Sequence, residues 1–312
     1  LFRLWRAGQH HGVHPELSAI FNRQGGVATT NQILAVVSRR YLQLLLECAA
    51  VERIWQGVYS AGTADVTRRL RGLDLSCGEV VAICMGTAAN AYGFDTEETA
   101  EIHMLNPMRH QIRSTSGLVV HRRRGAPLLT VADRPATAPA WTAVELARVL
   151  PRPRSLATLD AALRSGHCNT ADLASTVTAQ SGRRGIVKVR RLLPLADGRA
   201  ESPMESEARL VMIGGGLPVP ALQYEIVDGL GRLRRFDFAW PDAMLAAEYD
   251  SAIWHGSADA LRRDREKLAA VQDIGWTVVP IVADDVRRRP HLLVNRIDGH
   301  LRRGANTLRG CG

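Results

Sequence analysis

The stretch RRFDFAWPDAMLAAEYD, residues 234–250, decides the fold of the C-terminal part of the chain. It contains two largely apolar segments, each long enough for a β-strand, joined by a Pro-Asp turn signal. Three acidic residues, Asp237, Glu248 and Asp250, lie among the apolar ones. Carboxylates rarely enter a protein core unless they are paired, hydrogen-bonded or bound to a metal. The arrangement of these three acids therefore bears on both fold and function.

The spacing of the two segments predicts which side of the hairpin each residue occupies. A four-residue turn would pair Trp240 with Leu245 and place Asp237 opposite Glu248, whereas a two-residue turn would shift only the offset. Asp237, Glu248 and Asp250 are expected on one face. The apolar residues expected on the other face are Phe236, Phe238, Trp240, Leu245, Ala247 and Tyr249.

Acids gathered on one face repel one another, and each raises the pKa of its neighbours. A divalent cation removes this repulsion, and Mg²⁺ or Mn²⁺ suits oxygen ligands. The pattern therefore predicts a metal site that activates water for phosphodiester hydrolysis. The alternative is that the acids face solvent or pair with Arg232, Arg234 and Arg235, which are close in sequence.

The flanking residues complete an α/β domain, for which we predict residues 199–312. A helix begins after a Ser202 cap, and a glycine triplet ends it. Three antiparallel strands, a helix, a strand and a basic helix follow. Glu205 lies where a capping box places an acid, so capping alone accounts for it.

Residues 200–300 resemble the uncharacterised domain family grouped with the very-short-patch repair endonucleases and, more distantly, those endonucleases themselves. These proteins share the PD-(D/E)XK restriction-endonuclease-like fold. The resemblance implies that Asp237, Glu248 and Glu205 bind the metal and that Asp250 is an additional acid. The matching segments are SPMESEAR, RRFDFAWPDAMLAAEYD, RRDREKLAAVQDIGWTVVPI and RRRPHLLVNRI.

The usual nuclease motif has a lysine two residues after the second acid, and Asp250 stands there in this chain. Lys267, on the next predicted helix, is a candidate for the missing cation, although a lysine on a helix is more often only a solvated side chain. His255 is similar in context to the histidine beside the active site of the repair endonucleases, which implies acid-base chemistry. A structural role for His255 is the alternative.

The N-terminal residues 1–64 are predicted to form a winged helix-turn-helix. The sequence indicates a short helix before a Gly-Gly pair, a helix begun by Thr29 and Thr30, and a third helix capped by Ser38. VERIWQGVYS, at residues 51–60, is typical of a two-stranded wing that turns at a glycine. The third helix should bury one face, made of Leu42, Leu45, Leu46 and Ala49.

Polar residues at the start of that third helix are candidates for DNA contacts. Arg39 and Arg40 occupy its first turn, and Gln43 lies one turn further on. Arginine reads guanine edges and glutamine reads adenine from a helix in the major groove. Arg53, near the wing, is a candidate phosphate contact. The alternative is that this unit is a dimerisation or docking module with solvated polar residues.

Residues 15–62 resemble the N-terminal domain of the abortive-infection type IV antitoxins. The resemblance rests on GVATTNQIL and SRRYLQLLLECAAVERIWQGVYS. It implies that the protein binds double-stranded DNA at its own operator and has a cognate toxin as a partner. Residues 65–198 are predicted to be a mixed helical bridging region, to which we assign no chemistry. The chain as a whole is predicted to have a mixed α/β fold.

Composition limits the classes of function. Of forty basic residues only Lys188 and Lys267 are lysines, which leaves 40 − 2 = 38 arginines and a net charge of +9. This excess fits a polyanionic partner, or simply an arginine-biased genome. The five cysteines have no zinc-ligand spacing, and no apolar run is long enough for a membrane span. A cytoplasmic location is the default expectation.

Three functions remain open from the sequence. The main prediction is a DNA-binding protein whose metal-dependent, endonuclease-like C-terminal domain cuts or nicks DNA. The alternative is an antitoxin-type transcriptional autoregulator whose nuclease-fold domain is inactive. A toxin-binding protein that never meets DNA is the third.

Overall fold

A computed structural model describes residues 14–94, 100–108, 110–122, 125–250 and 258–309. These residues form two compact units, which we describe separately. The first unit contains the chain up to Ala91 and from Glu98 to Ala138, and the second contains the short segment between these parts and the chain from Pro139 onward. Helices and several small sheets occur together, so the predicted mixed α/β class is confirmed. The boundaries predicted after residues 64 and 198 lie inside these units and stay predictions.

The first unit begins with three short helices and a three-stranded sheet of order β1-β3-β2. Its elements are α1 (Pro15–Arg23), β1 (Val27–Thr29), α2 (Thr30–Leu34), α3 (Arg39–Glu47), β2 (Val51–Trp55) and β3 (Val58–Ala61). Capping explains the helix starts, because Thr29 and Gln32 form a capping box at α2 and the Ser38 hydroxyl accepts the Tyr41 N–H at α3. Gly57, with φ +74°, makes the β2–β3 turn.

The core of this part differs from the predicted pattern at one residue. Leu42 and Leu45 of α3 are buried against Leu17 and Phe21 of α1, and Leu46 packs at the edge. Ala49, predicted on the same face, is exposed and has φ +53°. The reason is that α3 ends at Glu47, so the helical period no longer applies two residues later.

The rest of the first unit is a helix–strand layer. Its elements are α4 (Val66–Cys77), α5 (Met85–Ala91), β4 (Ile102–Leu105), β5 (Leu118–His121), β6 (Leu128–Val131) and β7 (Arg134–Thr137). β4 pairs with β5 in parallel, and β6 pairs with β7 antiparallel. Arg134 of β7 donates two hydrogen bonds to the Asp74 carboxylate of α4, of 2.7 and 2.6 Å, and thereby links this strand to the helix.

The second unit opens with a helical half. Its helices are α6 (Pro139–Val149), α7 (Arg152–Arg164), α8 (Thr170–Ala179) and α9 (Ile186–Leu192). Helix α7 packs against both α6 and the next helix, α10 (Pro203–Gly214). Helix α10 begins the C-terminal half, so its packing on α7 joins the helical half to the C-terminal half. Both halves belong to one compact unit.

The C-terminal half of this unit contains a four-stranded sheet of order β11-β10-β9-β8. Its further elements are β8 (Ala221–Val227), β9 (Leu233–Trp240), β10 (Leu245–Tyr249), α11 (Ala258–Gln272), β11 (Thr277–Ile281), α12 (Ala283–Arg287) and α13 (Pro290–Arg309). Of the three strand pairs in this sheet, β10–β11 is parallel and the others are antiparallel. Trp240 pairs with Leu245, as a four-residue turn predicts.

Both faces of the sheet are buried, and the strands change faces part-way. Phe238 and Leu222 belong to the apolar cluster that also contains Met212 of α10. Phe236 and Tyr224 instead pack on Trp276 in a second cluster, with ring centroids 5.8 and 5.7 Å from the Trp276 ring. The predicted common face of Phe236 and Phe238 was therefore wrong.

The face change coincides with Gln223 of β8, whose backbone has φ +50°. Regular pairing of β8 with β9 skips Gln223, because Leu222 pairs with Phe238 and Tyr224 pairs with Phe236. A left-handed residue rotates the strand and reverses the alternation of side chains. Gln223 and Asp237 therefore lie where the sheet changes faces.

Candidate functional site

Two regions of the molecule bring predicted functional residues together, and the first is α3. Its N-terminal turn is held by the Ser38 cap, and the burial of Leu42 and Leu45 fixes which way the helix faces. Arg39, Arg40 and Gln43 are consequently exposed. This face is available to a ligand, and its charge is basic at the N-terminal end.

Two details refine this surface. The Gln43 side-chain amide donates to the Glu47 carboxylate at 3.1 Å, so an acid lies beside the predicted base-reading residue. Arg53 is exposed on β2, next to an irregularity in the β2–β3 pairing. All four residues predicted to contact DNA thus lie on the surface of the first unit, while the contacts themselves stay predictions.

The second region consists of the carboxylates of Glu205, Asp237 and Glu248, and we call it the carboxylate group. It lies where the strands of the sheet change faces. The β9–β10 pairing ends at Phe238 and Ala247, one residue before Asp237 and Glu248 would face each other. The Asp237 carboxylate instead accepts the Tyr249 backbone N–H at 2.7 Å. At the end of β10, the Asp237 carboxylate is therefore the acceptor for an N–H group that a backbone carbonyl would accept in regular pairing.

Gln223 connects Asp237 to the helical acid Glu205. Its side-chain amide donates to the Glu205 carboxylate at 3.1 Å and, more weakly, to Asp237 at 3.5 Å. Glu205 is only 7% exposed, and the same carboxylate oxygen accepts the Glu201 backbone N–H at 2.8 Å. The predicted capping box is thus only half formed, because the Glu205 side chain bonds one residue ahead of the Ser202 cap. Glu205 faces Gln223 and Asp237 as well as its own helix start.

Burial sets the protonation behaviour of these two acids. Burial raises the pKa of Glu205, and the nearby Asp237 charge raises it further, while the Glu201 N–H opposes the change. Burial also raises the pKa of Asp237, against the Tyr249 and Gln223 hydrogen bonds. Both carboxylates are therefore in an environment that favours a proton or a cation.

Lys267 supplies a positive charge to this group. Its ammonium is 2.6 Å from the Glu248 carboxylate and lies over the Phe236 ring, 5.9 Å from the centroid. Its charge also lowers the pKa of Asp237, against the larger raising effect of burial. The Lys267 side chain is partly exposed and contacts a predicted metal ligand, while its role stays a prediction.

The arginines close in sequence pair elsewhere. Arg234 bonds Asp228 at 2.7 Å in the β8–β9 turn, and Arg235 bonds Glu201 at 2.9 Å. Neither of these ion pairs involves Asp237 or Glu248. The predicted alternative, in which the acids face solvent or pair with Arg232, Arg234 and Arg235, stays a prediction.

Two further predicted site residues are Asp250 and His255. Asp250 is exposed, and its backbone N–H donates to the Ile281 carbonyl at 2.7 Å. This bond continues the β10–β11 pairing by one residue. His255 lies outside the described residues, so its predicted acid-base role stays a prediction.

The donor chemistry partly fits a metal ion. Carboxylate oxygens on buried acids suit Mg²⁺ or Mn²⁺. Among the side chains that the structure describes, however, no group of three or more His, Cys, Asp or Glu residues lies close enough to hold a metal. Asp237 and Glu205 approach the same amide, while Glu248 approaches Lys267. The oxygens are of the right type, but they are not gathered into one ligand set.

Sequence reasoning missed Gln223 and a buried ion pair behind α10. Arg209 bonds the Asp160 carboxylate at 2.6 Å, with the two side chains 4% and 0% exposed. Glu207 accepts two bonds of 3.0 Å from Arg287. The alternation of Glu205, Glu207 and Arg209 inside an otherwise apolar helix was the available signal, because charged residues enter a core only when paired.

Comparison with known proteins bears first on the residues predicted to be a bridging region. Residues 81–195 match the family model of the AbiEi antitoxin C-terminal domain. This segment begins before α5 and ends after α9, so it runs through parts of both units. It follows the segment that resembles the antitoxin N-terminal domain.

Relatives that match most of the chain occur in mycobacteria. The uncharacterized protein MT2308 of Mycobacterium tuberculosis strain CDC 1551 / Oshkosh is 55% identical over 267 residues, which cover 86% of this chain and 98% of that protein. The uncharacterized protein Rv2248 of strain H37Rv matches to the same extent. The chain belongs to the family of these two proteins.

No helix in the described part of the chain is both long enough and apolar enough to cross a membrane. Helix α13 has twenty residues but contains several arginines.

Proposed function

We propose that the protein is an antitoxin-type transcriptional autoregulator, which binds DNA upstream of its own operon and pairs with a cognate toxin. The match of residues 81–195 to the AbiEi antitoxin C-terminal domain carries this proposal. The resemblance of residues 15–62 to the N-terminal domain of the same antitoxins adds to it, because the N-terminal segment precedes the C-terminal one in the chain.

The first unit supports the DNA-binding part of the proposal. The order helix, strand, helix, helix, strand, strand from α1 to β3 is consistent with a winged helix, in which α3 would be the recognition helix. Its exposed N-terminal turn carries Arg39 and Arg40. In this proposal those arginines and Gln43 contact base edges or phosphates, and Arg53 contacts the backbone from the wing.

Autoregulation is tested in cells with a reporter gene behind the upstream region of the protein's own gene. We expect the wild-type protein to repress the reporter and the double variant Arg39→Ala, Arg40→Ala to lose repression at equal protein level. The double variant Arg262→Ala, Arg263→Ala is the control, because it removes the same charge from an exposed face of α11. Full repression by the α3 double variant would contradict the proposal.

A metal-dependent DNA endonuclease is a second candidate function, favoured by the contact between Lys267 and Glu248. The motif lysine is absent from position 250, and this contact brings a cation to the second acid from α11 instead. For this function Asp237, Glu248 and Glu205 would have to converge on one Mg²⁺ or Mn²⁺ ion, which would supply charge neutralisation and an activated water. Lys267 would stabilise negative charge that develops on the phosphate.

Nicking of supercoiled plasmid with Mg²⁺ or Mn²⁺ tests this second function. Asp237→Asn and Glu248→Gln should abolish nicking, and Lys267→Ala should slow it by about 10²- to 10³-fold, the usual loss when a stabilising group is removed. Asp242→Asn, an exposed acid in the turn of the same hairpin, should leave it unchanged. Nicking that survives both acid substitutions would rule out this site.

A further inference from the structure

Strand β6 lies at an open edge in the helix–strand layer of the first unit. Its partner β7 is bonded on the other side by Ile83, whose N–H donates to the Pro135 carbonyl at 2.9 Å and whose carbonyl accepts the Thr137 N–H at 3.0 Å. No described strand pairs with the outer side of β6. Leu128 and Leu129 of β6 are 48% and 56% exposed, so this edge is open to solvent.

The β6–β7 turn shows which main-chain groups of β6 point outward. Ala132 and Asp133 both have positive φ, +46° and +58°, as in a two-residue turn of type I′. Such a turn closes on a hydrogen-bonded pair, and hydrogen-bonded pairs then alternate with non-hydrogen-bonded ones along antiparallel strands. Leu129 therefore directs its N–H and C=O to β7, while Leu128 and Thr130 direct theirs outward. No described residue forms a hydrogen bond with these four outward groups.

This edge lacks the features that usually prevent strands from pairing. Edge strands are commonly protected by charged side chains, by proline or by bulges. Residues 126–132, APLLTVA, contain no charged residue, and all four residues of β6 pair regularly with β7. The only proline of this segment, Pro127, precedes the strand. The edge is therefore suited to pairing with a further strand.

We propose that β6 pairs with β6 of a second copy of the chain, antiparallel and about a two-fold axis at Leu129. A two-fold axis relates two antiparallel strands of one sheet only when it is perpendicular to the sheet. Each residue then meets one from the same face, so the axis passes through a residue. An axis at Leu129 pairs Leu128 with Thr130 of the second copy, and four hydrogen bonds use all the outward groups of both strands.

A second copy suits this edge because its residues are compatible with themselves in that register. Leu129 lies opposite Leu129 of the second copy in a non-hydrogen-bonded pair, where Cα atoms are about 4.5 Å apart and side chains touch. No like charges meet, because residues 126–132 are uncharged. The paired segment is short, so we expect a weak dimer in equilibrium with the monomer.

The dimer goes beyond the autoregulator proposal and does not depend on it. Helix α3 belongs to the same unit as β6. A symmetric pair therefore carries two copies of the α3 surface, as dimeric helix-turn-helix proteins do when they bind two half-sites of DNA.

Sedimentation velocity of the full chain over a range of concentrations measures the association. We expect wild type to pass from monomer to dimer as the concentration rises, equally at high salt, because the paired segment has no charge. Leu129→Lys places like charges opposite each other and removes the leucine contact, and should raise the dimer dissociation constant by about 10-fold or more. Leu230→Lys is the matched control, because Leu230 is similarly exposed, at 59%, in the β8–β9 turn.

A cysteine cross-link tests the register. Cys48 and Cys311 are first replaced by Ser, because Cys48 is exposed and Cys311 lies outside the described residues. With oxidised glutathione, Leu129→Cys should form a disulfide-linked dimer, since the Cα atoms of a non-hydrogen-bonded pair are within disulfide range. Leu128→Cys should cross-link much more slowly, because its partner in this register is Thr130 and not itself.

Three results would overturn the inference. A wild-type chain that stays monomeric at every concentration would do so and would leave the edge to a strand of another protein. A dimer that Leu129→Lys does not weaken, or equal cross-linking of the two cysteine variants, would mean that the copies associate through another surface or register. Thermal unfolding of each variant, expected at the wild-type temperature because both leucines are exposed, shows that the fold is intact.

Discussion

The charged residues of the α3 surface and those of the carboxylate group differ in their exposure to solvent and in their partners. On α3 the arginines are exposed, and the apolar face behind them fixes only the direction in which the helix points. At the carboxylate group the charges are buried or half-buried, and each has specific partners: Asp237 has Tyr249 and Gln223, and Glu248 has Lys267. The first arrangement suits an extended polyanion, and the second suits a small ligand that needs fixed geometry.

This difference in exposure determines whether a substitution is expected to change binding or stability. Exposed arginines contribute little to stability, so their removal should change binding alone. A buried charge left without its partner costs stability directly. Pairs of substitutions that remove the same chemical group from an exposed and a buried environment therefore test the difference.

The largest effect on the free energy of unfolding is expected at the buried ion pair of Arg209 and Asp160. Arg209→Ala leaves the Asp160 carboxylate buried without its cation and should lower the free energy of unfolding by about 3–5 kcal/mol. Arg302→Ala breaks an exposed pair with Asp298, whose side chains are 78% and 41% exposed, and should cost at most about 1 kcal/mol. Urea unfolding of both variants measures the difference. Equal decreases would show that burial does not distinguish these pairs.

A smaller effect is expected within α3 itself. Leu45→Ala opens a cavity in the core beside Phe21 and should cost about 2–4 kcal/mol. Leu44→Ala, one residue earlier on the exposed face, should change the free energy of unfolding by no more than about 0.5 kcal/mol. Unfolding followed by circular dichroism gives both values. A large decrease for Leu44→Ala would mean that this face is covered and unavailable to DNA.

The smallest effect is expected on the pH dependence of stability, at His103 of the first unit. Burial lowers the pKa of His103, against the raising effect of Glu101, and the His103 ring Nδ1 is 2.9 Å from Nε2 of His121. The folded state therefore binds this proton less readily than the unfolded chain. The stability that neutral His103 allows is present above its ordinary pKa of about 6.5 and decreases as the pH falls from there through the lowered value.

Replacing His103 with Gln should accordingly make the free energy of unfolding decrease less between about pH 7 and pH 5. Chemical unfolding at the two ends of that window is the measurement. His291→Gln is the control, because His291 is exposed on α13. An unchanged pH dependence in the His103 variant would assign the decrease to other groups.

The sequence predicts those features that depend on local rules. Alternation and the turn length predicted the Trp240–Leu245 register, and the Ser38 cap predicted the start of α3, because neighbouring residues determine both. The change of face at Gln223 was not predictable, since it depends on one left-handed residue in a strand. The Lys267–Glu248 contact was not predictable either, because it depends on how α11 packs against the sheet. Local patterns specify elements, whereas packing between elements brings the candidate site together.

The most direct test of the autoregulator proposal is the affinity of the purified protein for its own upstream DNA against a shuffled sequence, measured by fluorescence anisotropy over a range of salt concentrations. The proposal predicts binding to the upstream DNA about 10³-fold or more tighter than to the shuffled sequence. The Arg39→Ala, Arg40→Ala variant should bind more weakly, and each phosphate interaction that it removes should make the salt dependence shallower by about one unit of slope. Equal affinity for the two DNAs, unaffected by the two substitutions, would contradict it.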